Sequence, residues 1–350
     1  MKMKWMKGTL AMMLAAVLVI TGCGAKSSPK EATQNAFAKT MEVNSYAFSA
    51  SVMIEDLLLS GESFGGEEVS SLVSMLKNAK LDITGVAQNE PLQADMKIGV
   101  EIPGDMALKF ELPMVMTQDK MYLKVPNIPI LALPEDLVGK YIEMDMEELA
   151  AESGQSLESL DMETSQQFSN ELLSVMLGKF DEETYFSDID AKDAGLPEGI
   201  DAKQVVKFAV TKDNFDQAAT TLVKDVLPAL MDVISKEEYR TYLQIEQSDI
   251  DLLKEELQTT DSELQQGLAE LKEVLTVNEL SVVTAIDKDG YASHQKLLFD
   301  AEASDQGDVI KLKLSMTSTM TNINGTQEFS GIPTDIITME ELEEFLMYGY

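Results

Sequence analysis

The chain of 350 residues contains one cysteine, Cys23, and one histidine, His294. A thiol can be alkylated, oxidised or bound to a metal, but a lone cysteine allows no disulfide within the chain. An imidazole acts as a general base when a nucleophile and an acid are arranged around it. Ser293 precedes the histidine in a predicted strand, but we expect no nucleophile elbow in this sequence. We therefore expect no catalytic residue, and a solvent-facing strand histidine at His294.

The segment Asp287-Lys288-Asp289-Gly290 begins as a calcium-binding loop does. Position 12 of such a loop, counted from Asp287, is Leu298 instead of the required glutamate. The segment is therefore interpreted as a hairpin turn. With a single histidine and a cysteine at the N-terminus, a zinc site is not expected either. We predict no metal and no cofactor.

Methionine is abundant, with 22 residues. Pairs such as Met114/Met116 and Met144/Met146 have a spacing that can bind Cu(I) through thioether sulfur. Methionine is also an adaptable apolar filler, suited to a core or to a cavity that accommodates lipid. These interpretations stay open, with core packing favoured over a cavity and a cavity over copper, because several methionines fall on apolar faces of predicted strands: Met96, Met106, Met316 and Met320.

The N-terminus has the layout of a secretory signal. Three lysines, the last of them Lys7, precede an uncharged apolar run from Thr9 to Ile20. This run of 12 residues is shorter than the roughly 20 needed to cross a bilayer. We therefore expect residues 1–22 to be a signal peptide that is removed on export.

The end of this signal, Ile20-Thr21-Gly22-Cys23, resembles the lipobox of bacterial lipoproteins. The resemblance implies that lipoprotein signal peptidase recognises Ile20, Thr21 and Gly22, and that Cys23 carries a diacylglyceryl group. Residues 23–30 would then be the lipidated cysteine and a flexible tether, and the acyl chains would hold the protein on the extracytoplasmic face of the cell membrane. The alternative is an ordinary signal peptide with an incidental cysteine.

The chain is strongly acidic, with a formal net charge of −34 at pH 7. Loss of residues 1–22 removes three lysines and makes this charge −37. Such a chain is a poor ligand for nucleic acid or for anionic headgroups, both of which require a basic surface. The charge is interpreted as a solubility feature, or alternatively as an acidic face for cations or a basic partner, although no local cluster of ligands supports the alternative.

The strand pattern is clearest between Leu92 and Leu112. Even-numbered positions are apolar and odd-numbered positions mostly polar, with a turn at Pro103-Gly104. This alternation predicts an antiparallel meander with one apolar and one wet face. Asn324-Gly325 predicts a hairpin turn. Further strands are predicted at residues 46–54, 81–87, 121–125, 205–211, 280–286, 291–302 and 310–320.

Helical spacing of apolar residues predicts helices at residues 30–43, 69–76 and 167–177, with a last helix capped by Thr338 and Glu341. Two or three consecutive helices are expected at 213–275, with N-caps at Asp213, Ser235 and Ser262. Prolines forbid regular structure between Pro126 and Pro134, and this apolar loop is expected to close over a core or the mouth of a cavity.

A lipobox followed by a helix, the corner Asn44-Ser45-Tyr46-Ala47-Phe48 and antiparallel strands resembles the lipid carriers of the LolA/LppX type. The segment Gly331-Ile332-Pro333-Thr334 is also similar to uncharacterised lipoproteins of Gram-positive bacteria. The resemblance implies an α+β fold in which a large, curved antiparallel sheet forms a half-barrel. Helices would pack on its concave apolar face, in a single domain at 31–350 with a helical insertion at about 145–275.

These features favour a non-enzymatic, membrane-anchored lipoprotein that binds or carries a lipid or another apolar ligand between sheet and helices. A second hypothesis is a surface interaction or scaffold lipoprotein that acts through its acidic exterior. A third, the substrate-binding protein of an importer, requires two lobes of alternating strands and helices, which the long meanders disfavour. An enzyme is the class that the sequence favours least.

Tryptophan fluorescence tests the cleavage site. Trp5 is the only tryptophan, so cleavage after Gly22 removes it. We expect protein purified from the membrane of its host to show tyrosine emission only, whereas a Cys23→Ala variant, which signal peptidase cannot process, keeps tryptophan emission. Tryptophan emission from the membrane-bound native protein would contradict the site.

Overall fold

The computed structural model describes residues 27–104, 107–128, 133–152, 162–257 and 261–348. The predicted signal peptide, the lipobox, Cys23 and residues 24–26 of the tether lie outside the described residues, as does Met106. Among the described helices, none is both long and apolar enough to cross a bilayer.

Twelve strands form one open, curved sheet, with helices packed mainly on one side of it. The order across the sheet is β12-β6-β5-β4-β3-β2-β1-β11-β10-β9-β8-β7, and every neighbouring pair is antiparallel except β12 and β6. The predicted α+β half-barrel is therefore confirmed. The strands are β1 (Ser45–Ser60), β2 (Lys80–Gln88), β3 (Gln93–Ile102), β4 (Leu108–Thr117), β5 (Lys120–Lys124), β6 (Tyr141–Asp145), β7 (Phe186–Asp188), β8 (Gln204–Thr211), β9 (Leu275–Ile286), β10 (Ala292–Asp305), β11 (Asp308–Thr321) and β12 (Ile336–Thr338).

The described helices occupy the N-terminus, the connection between β1 and β2, the region between β6 and β9, and the C-terminus. A π-helical turn joins two of them at Leu222–Val226, and a short 3-10 turn lies at Glu62–Phe64. The helices are α1 (Pro29–Met41), α2 (Glu67–Leu76), α3 (Met146–Glu152), α4 (Met162–Lys179), α5 (Glu182–Tyr185), α6 (Phe215–Thr221), α7 (Leu227–Ile234), α8 (Glu237–Leu243), α9 (Gln247–Glu256), α10 (Asp261–Val274) and α11 (Met339–Tyr348).

The helices cover the two ends of the sheet. Helix α1 packs on β7–β10, α10 on β9 and β10, and α11 on β6 and β12. Helix α1 approaches the strands closely because its buried positions are the small residues Ala32 and Ala36, which share one core cluster with Val206 of β8. A second cluster joins Leu137 and Ile337 at the other end, where Phe345 of α11 packs on it.

The apolar loop predicted from Pro126 to Pro134 covers this second cluster. Ile128 is buried, and Leu133 packs against Leu137. Of the two predicted roles for the loop, closure over a core is the one that its described residues support.

The chain after β11 does not form the hairpin that Asn324-Gly325 predicts. Residues 322–335 instead cross the convex face of the sheet as an irregular strap and reach β12 at its far edge. Backbone N–H groups fix the strap at both ends, since Asn324 donates to the Ser45 carbonyl at 2.6 Å and Tyr141 donates to the Asp335 carbonyl at 2.9 Å. The hairpin prediction was wrong because both edges of β11 are already paired, one with β10 and the other with β1, so no edge is left for a returning strand.

Two of the predicted N-caps at 213–275 are also wrong. Helix α6 begins after Asn214, not after Asp213. Ser235 ends α7, and its hydroxyl donates to the Met231 carbonyl. Ser262 lies inside α10, whose preceding residues are outside the described part of the chain. By contrast, the capping box of α11 is confirmed, with Thr338 N–H donating to Glu341 at 2.9 Å and Glu341 N–H donating to Thr338 Oγ1 at 3.2 Å.

The sheet predicts a contrast between two glycines. A Cβ on Gly85 would lie 2.2 Å from the Asp95 carbonyl oxygen and 2.9 Å from Cζ of Phe48, whereas a Cβ on Gly99 would meet nothing closer than 3.8 Å. We expect Gly85→Ala to lower the free energy of unfolding by about 1–3 kcal/mol through overpacking. Gly99→Ala is the control, expected to stay within about 0.5 kcal/mol. Urea unfolding measures both, and equal stabilities would contradict the close packing at Gly85.

Candidate ligand cavity

A cavity of about 1040 Å³ lies between the helices and the concave face of the sheet at β8–β11 and the start of β1. Its lining is drawn from segments far apart in the sequence. The lining residues are Thr33, Phe37, Thr40, Met41, Val43, Tyr46, Asn89, Gln166, Leu173, Met176, Leu177, Phe180, Val206, Phe208, Val210, Phe215, Ala218, Ala219, Leu222, Val223, Val226, Leu268, Leu271, Leu275, Leu280, Val282, Thr284, Gln295, Leu297, Met316, Ser318 and Met320.

The floor of the cavity follows from the two-residue period of the strands. Successive side chains of a strand point to opposite faces, so residues paired directly across the sheet share a face. One such row runs from Phe208 through Val282 and Leu297 to Met316. The alternation read from the sequence of β9 and β11 therefore predicts correctly which side chains form the floor.

The roof is made by helical faces. In α1, Thr33, Phe37, Thr40 and Met41 recur at the spacing of one helical face and line the cavity. Helices α4, α6 and α10, with the π-helical turn, supply most of the remainder, including Leu173 of α4.

The π-helical turn between α6 and α7 has a cause in the sequence. Pro228, near the start of α7, has no N–H group, and in a regular helix its ring would collide with the carbonyl four residues before it. The wider turn at Leu222–Val226 relieves this conflict, and the Leu227 N–H bonds to the Leu222 carbonyl, five residues back. Three residues of this turn, Leu222, Val223 and Val226, line the cavity.

The lining is uncharged. Among its described residues there is no Asp, Glu, Lys, Arg or His, although charged residues make up 25% of the chain. The titratable lining residue is Tyr46, and burial raises the pKa of its phenol. The cavity therefore offers no ion pair to a ligand and should discriminate against charged groups, because a charge without a partner is costly to bury.

The cavity opens to solvent along an apolar rim. Four large lining side chains are exposed: Met176 at 40%, Leu222 at 44%, Leu271 at 36% and Met316 at 41%. Met316 and Met320 thus belong to the cavity lining, which was one of the open interpretations for the methionines. Met96 lies on the same sheet face farther along, paired with Met114.

Methionines on three neighbouring strands also come together in the sheet. Met116 pairs with Met121, and Met121 with Met144. The sequence does not reveal this proximity, because it depends on the registers of β4, β5 and β6. Among the described residues, no group of three or more His, Cys, Asp or Glu side chains is placed to hold a metal ion.

The predicted turn at Asp287–Gly290 is confirmed. Asp287 Oδ1 accepts hydrogen bonds from the backbone N–H groups of Asp289 and Tyr291, both at 2.9 Å. The turn connects β9 and β10. This carboxylate therefore fixes the turn itself.

His294 is buried, at 2% exposure, so the prediction of a solvent-facing histidine was wrong. Its Nδ1 lies 2.8 Å from Oγ1 of Thr319. The neighbouring Ala285 of β9 is fully buried by a cluster that includes Ala194 and Val205, so this part of the convex face is covered. Burial, with a smaller effect of Lys296, lowers the pKa of the imidazole.

The expectation that the sequence lacks a nucleophile elbow was also wrong. Gly61-Glu62-Ser63-Phe64-Gly65 has the G-x-S-x-G spacing. Hydrogen bonds from Ser63 lower the pKa of the Asp308 carboxyl, so a serine and an acid do meet. His294, however, is far from this pair. Ser304 of β10 is level with the end of β1 that precedes Ser63, and His294 lies ten residues before Ser304 on the same strand. At 3.3 Å per residue, His294 is roughly 33 Å from that end of the sheet. Ser63 and Asp308 therefore form no triad with His294.

Comparisons with known proteins assign no family. No protein-family model matches the chain, and no curated protein matches it. Among solved structures, the chain is weakly similar to the acyl-CoA thioesterase II TesB2 from Mycobacterium marinum, with 11% identity, coverage of 87% of this chain and 92% of that chain, and a TM-score of 0.13. So low a score supports no argument about fold or function. The fold and the cavity together define this chain as an α+β half-barrel protein with an uncharged, largely apolar cavity.

The buried histidine predicts a pH effect on stability. Because the pKa of His294 is lower in the folded than in the unfolded chain, the unfolded chain binds more protons below about pH 6.5. The stabilising contribution is therefore present above that pH and is lost as the pH falls. We expect wild type to lose more free energy of unfolding between about pH 8 and pH 5 than His294→Asn does. Urea unfolding at both pH values measures this, and parallel losses would contradict it.

Proposed function

We propose that this chain is an exported bacterial lipoprotein, anchored at the outer face of the cell membrane by acyl chains on Cys23. Its half-barrel binds or carries a lipid or another apolar ligand in the cavity between sheet and helices, without catalysing a reaction. The observation that carries the proposal is the cavity of about 1040 Å³ with an uncharged, largely apolar lining.

The size and lining of the cavity support a sizeable apolar ligand. Small-molecule pockets have volumes of roughly 300–1,000 Å³, so this one is at the upper end. Protein interiors normally pack with few voids larger than a water molecule. An apolar ligand would remove the lining from water, which favours binding by about 25 cal/mol for each Å² of apolar surface buried.

The position of the proposed anchor supports a ligand taken from the membrane. Pro29, the first residue of α1, is six positions after Cys23, and six residue steps span at most about 20 Å when fully extended. Helix α1 also lines the cavity through Phe37 and Met41. The tether would thus hold a cavity wall close to the lipid surface.

The resemblance to LolA/LppX-type carriers is consistent with the same proposal. It implies a half-barrel with helices in its concavity and acyl chains between them. The curved sheet and the cavity against α1 correspond to that arrangement in this chain.

Diphenylhexatriene, an uncharged hydrocarbon that fluoresces in apolar surroundings, tests the proposal. We expect saturable binding by the full chain in detergent-free buffer, at one site. Leu297→Trp puts a larger side chain on the cavity floor and should weaken this binding, because the added ring occupies part of the cavity.

The matched control is Leu298→Trp, because the adjacent residue of β10 points to the opposite face of the sheet. It should bind the probe as the wild-type chain does. An equal loss of binding in the two variants, or no saturable binding at all, would refute ligand binding in the cavity.

A further inference from the structure

Three uncharged polar side chains interrupt the apolar floor of the cavity. Thr284, Gln295 and Ser318 all line the cavity. In the sheet register Gln295 lies directly opposite Thr284 on one side and Ser318 on the other, so the three form a continuous row across β9, β10 and β11. Side chains paired in this way have Cβ atoms about 4.5–5.5 Å apart. We call these three residues the polar row.

The surroundings of the polar row are apolar. The residue that continues it on β8 is Val206, and the one that continues it on β1 is Ala50. The neighbouring row toward β10's C-terminal end contains Val282 and Leu297. A hydrogen-bonding ligand group would therefore find donors and acceptors at this one level of the floor.

The side chains of the polar row have no hydrogen-bond partner among the described residues. This distinguishes them from three other polar lining residues, whose side chains bond to the backbone. Thr33 donates to the Pro29 carbonyl at 2.9 Å, Thr40 to the Ala36 carbonyl at 2.7 Å, and Asn89 to the Val43 carbonyl at 3.0 Å. Thr284 is only 2% exposed, so its hydroxyl is enclosed by the cavity.

A ligand that displaces water from the polar row must replace the lost hydrogen bonds. The row offers two hydroxyl groups and one carboxamide, which together donate and accept but carry no charge. A buried polar group left without a partner costs about 1–3 kcal/mol, so a pure hydrocarbon is penalised here. A carboxylate or phosphate is penalised too, since the described lining contains no cation.

We infer that the polar row is a recognition subsite for an uncharged hydrogen-bonding group, such as an ester, amide or hydroxyl, of an otherwise apolar ligand. The inference rests on the proposed function and narrows it to neutral lipids whose polar group is buried together with their chains. The ester linkages of a membrane glycerolipid and those of a free neutral lipid present the same chemistry to this site.

Two fluorescent probes that differ in one group test the subsite: cis-parinaric acid, anionic at pH 8, and its uncharged methyl ester. We expect the wild-type chain to bind the methyl ester more tightly than the acid. Gln295→Leu removes hydrogen bonding at nearly constant volume and should weaken binding of the methyl ester by about 3- to 10-fold. Binding of diphenylhexatriene, which has no polar group, should stay the same or become tighter.

Thr284→Val is an isosteric second variant that keeps the shape of the cavity, and the same selective loss is expected of it. Thr317→Val is the control, because this threonine lies next to Ser318 on β11 but on the opposite face. Unchanged ester binding in both cavity variants, or an equal loss for ester and hydrocarbon, would overturn the subsite while leaving the cavity as a ligand site. Failure of the wild-type chain to bind diphenylhexatriene would overturn the proposed function, and the subsite with it.

Discussion

The structure depends on one constraint: the concave face of a twelve-stranded sheet is apolar and has to be covered. Alternation along each strand places Val282, Leu297, Met316 and their row neighbours on that face, and the antiparallel register joins them into a continuous apolar surface. Helices cover this surface at the two ends of the sheet order, with α1 and α10 on one side and α11 on the other. The ligand cavity is a result of how this covering is made.

Close packing on the sheet and an open cavity coexist because the helices differ in the size of their contact residues. Helix α1 lies close to β8 through Ala32 and Ala36, and then turns the larger Phe37 and Met41 toward the cavity. Among the helices after β8, the π-helical turn forced by Pro228 lines the cavity with larger side chains such as Leu222. The cavity thus has an uncharged lining within a chain of net charge −34.

Local patterns predict local structure well in this chain. The period of two identifies the strands of the meander, and Thr338 with Glu341 identifies the start of α11, because each signal involves residues that touch one another. Errors arise where distant segments decide. The alternation along β10 predicts that His294 faces solvent, yet a cluster that includes Ala194 and Val205 covers the adjoining part of the convex face. Asn324-Gly325 predicts a hairpin turn, yet β1 already pairs with β11, so the chain after β11 continues as a strap outside the sheet.

The sequence by itself determined where the strands of the meander lie and which of their side chains share a face, since both depend on neighbours within a few residues. The half-barrel was predicted from a family resemblance, and acylation of Cys23 stays a prediction. Only the tertiary structure decided that a cavity exists and what lines it. Gln295 comes to lie between Thr284 and Ser318 through hydrogen-bond register, and α1 reaches β8 across some 170 residues of chain. Such registers are set by the packing of the whole sheet, which no local sequence pattern encodes.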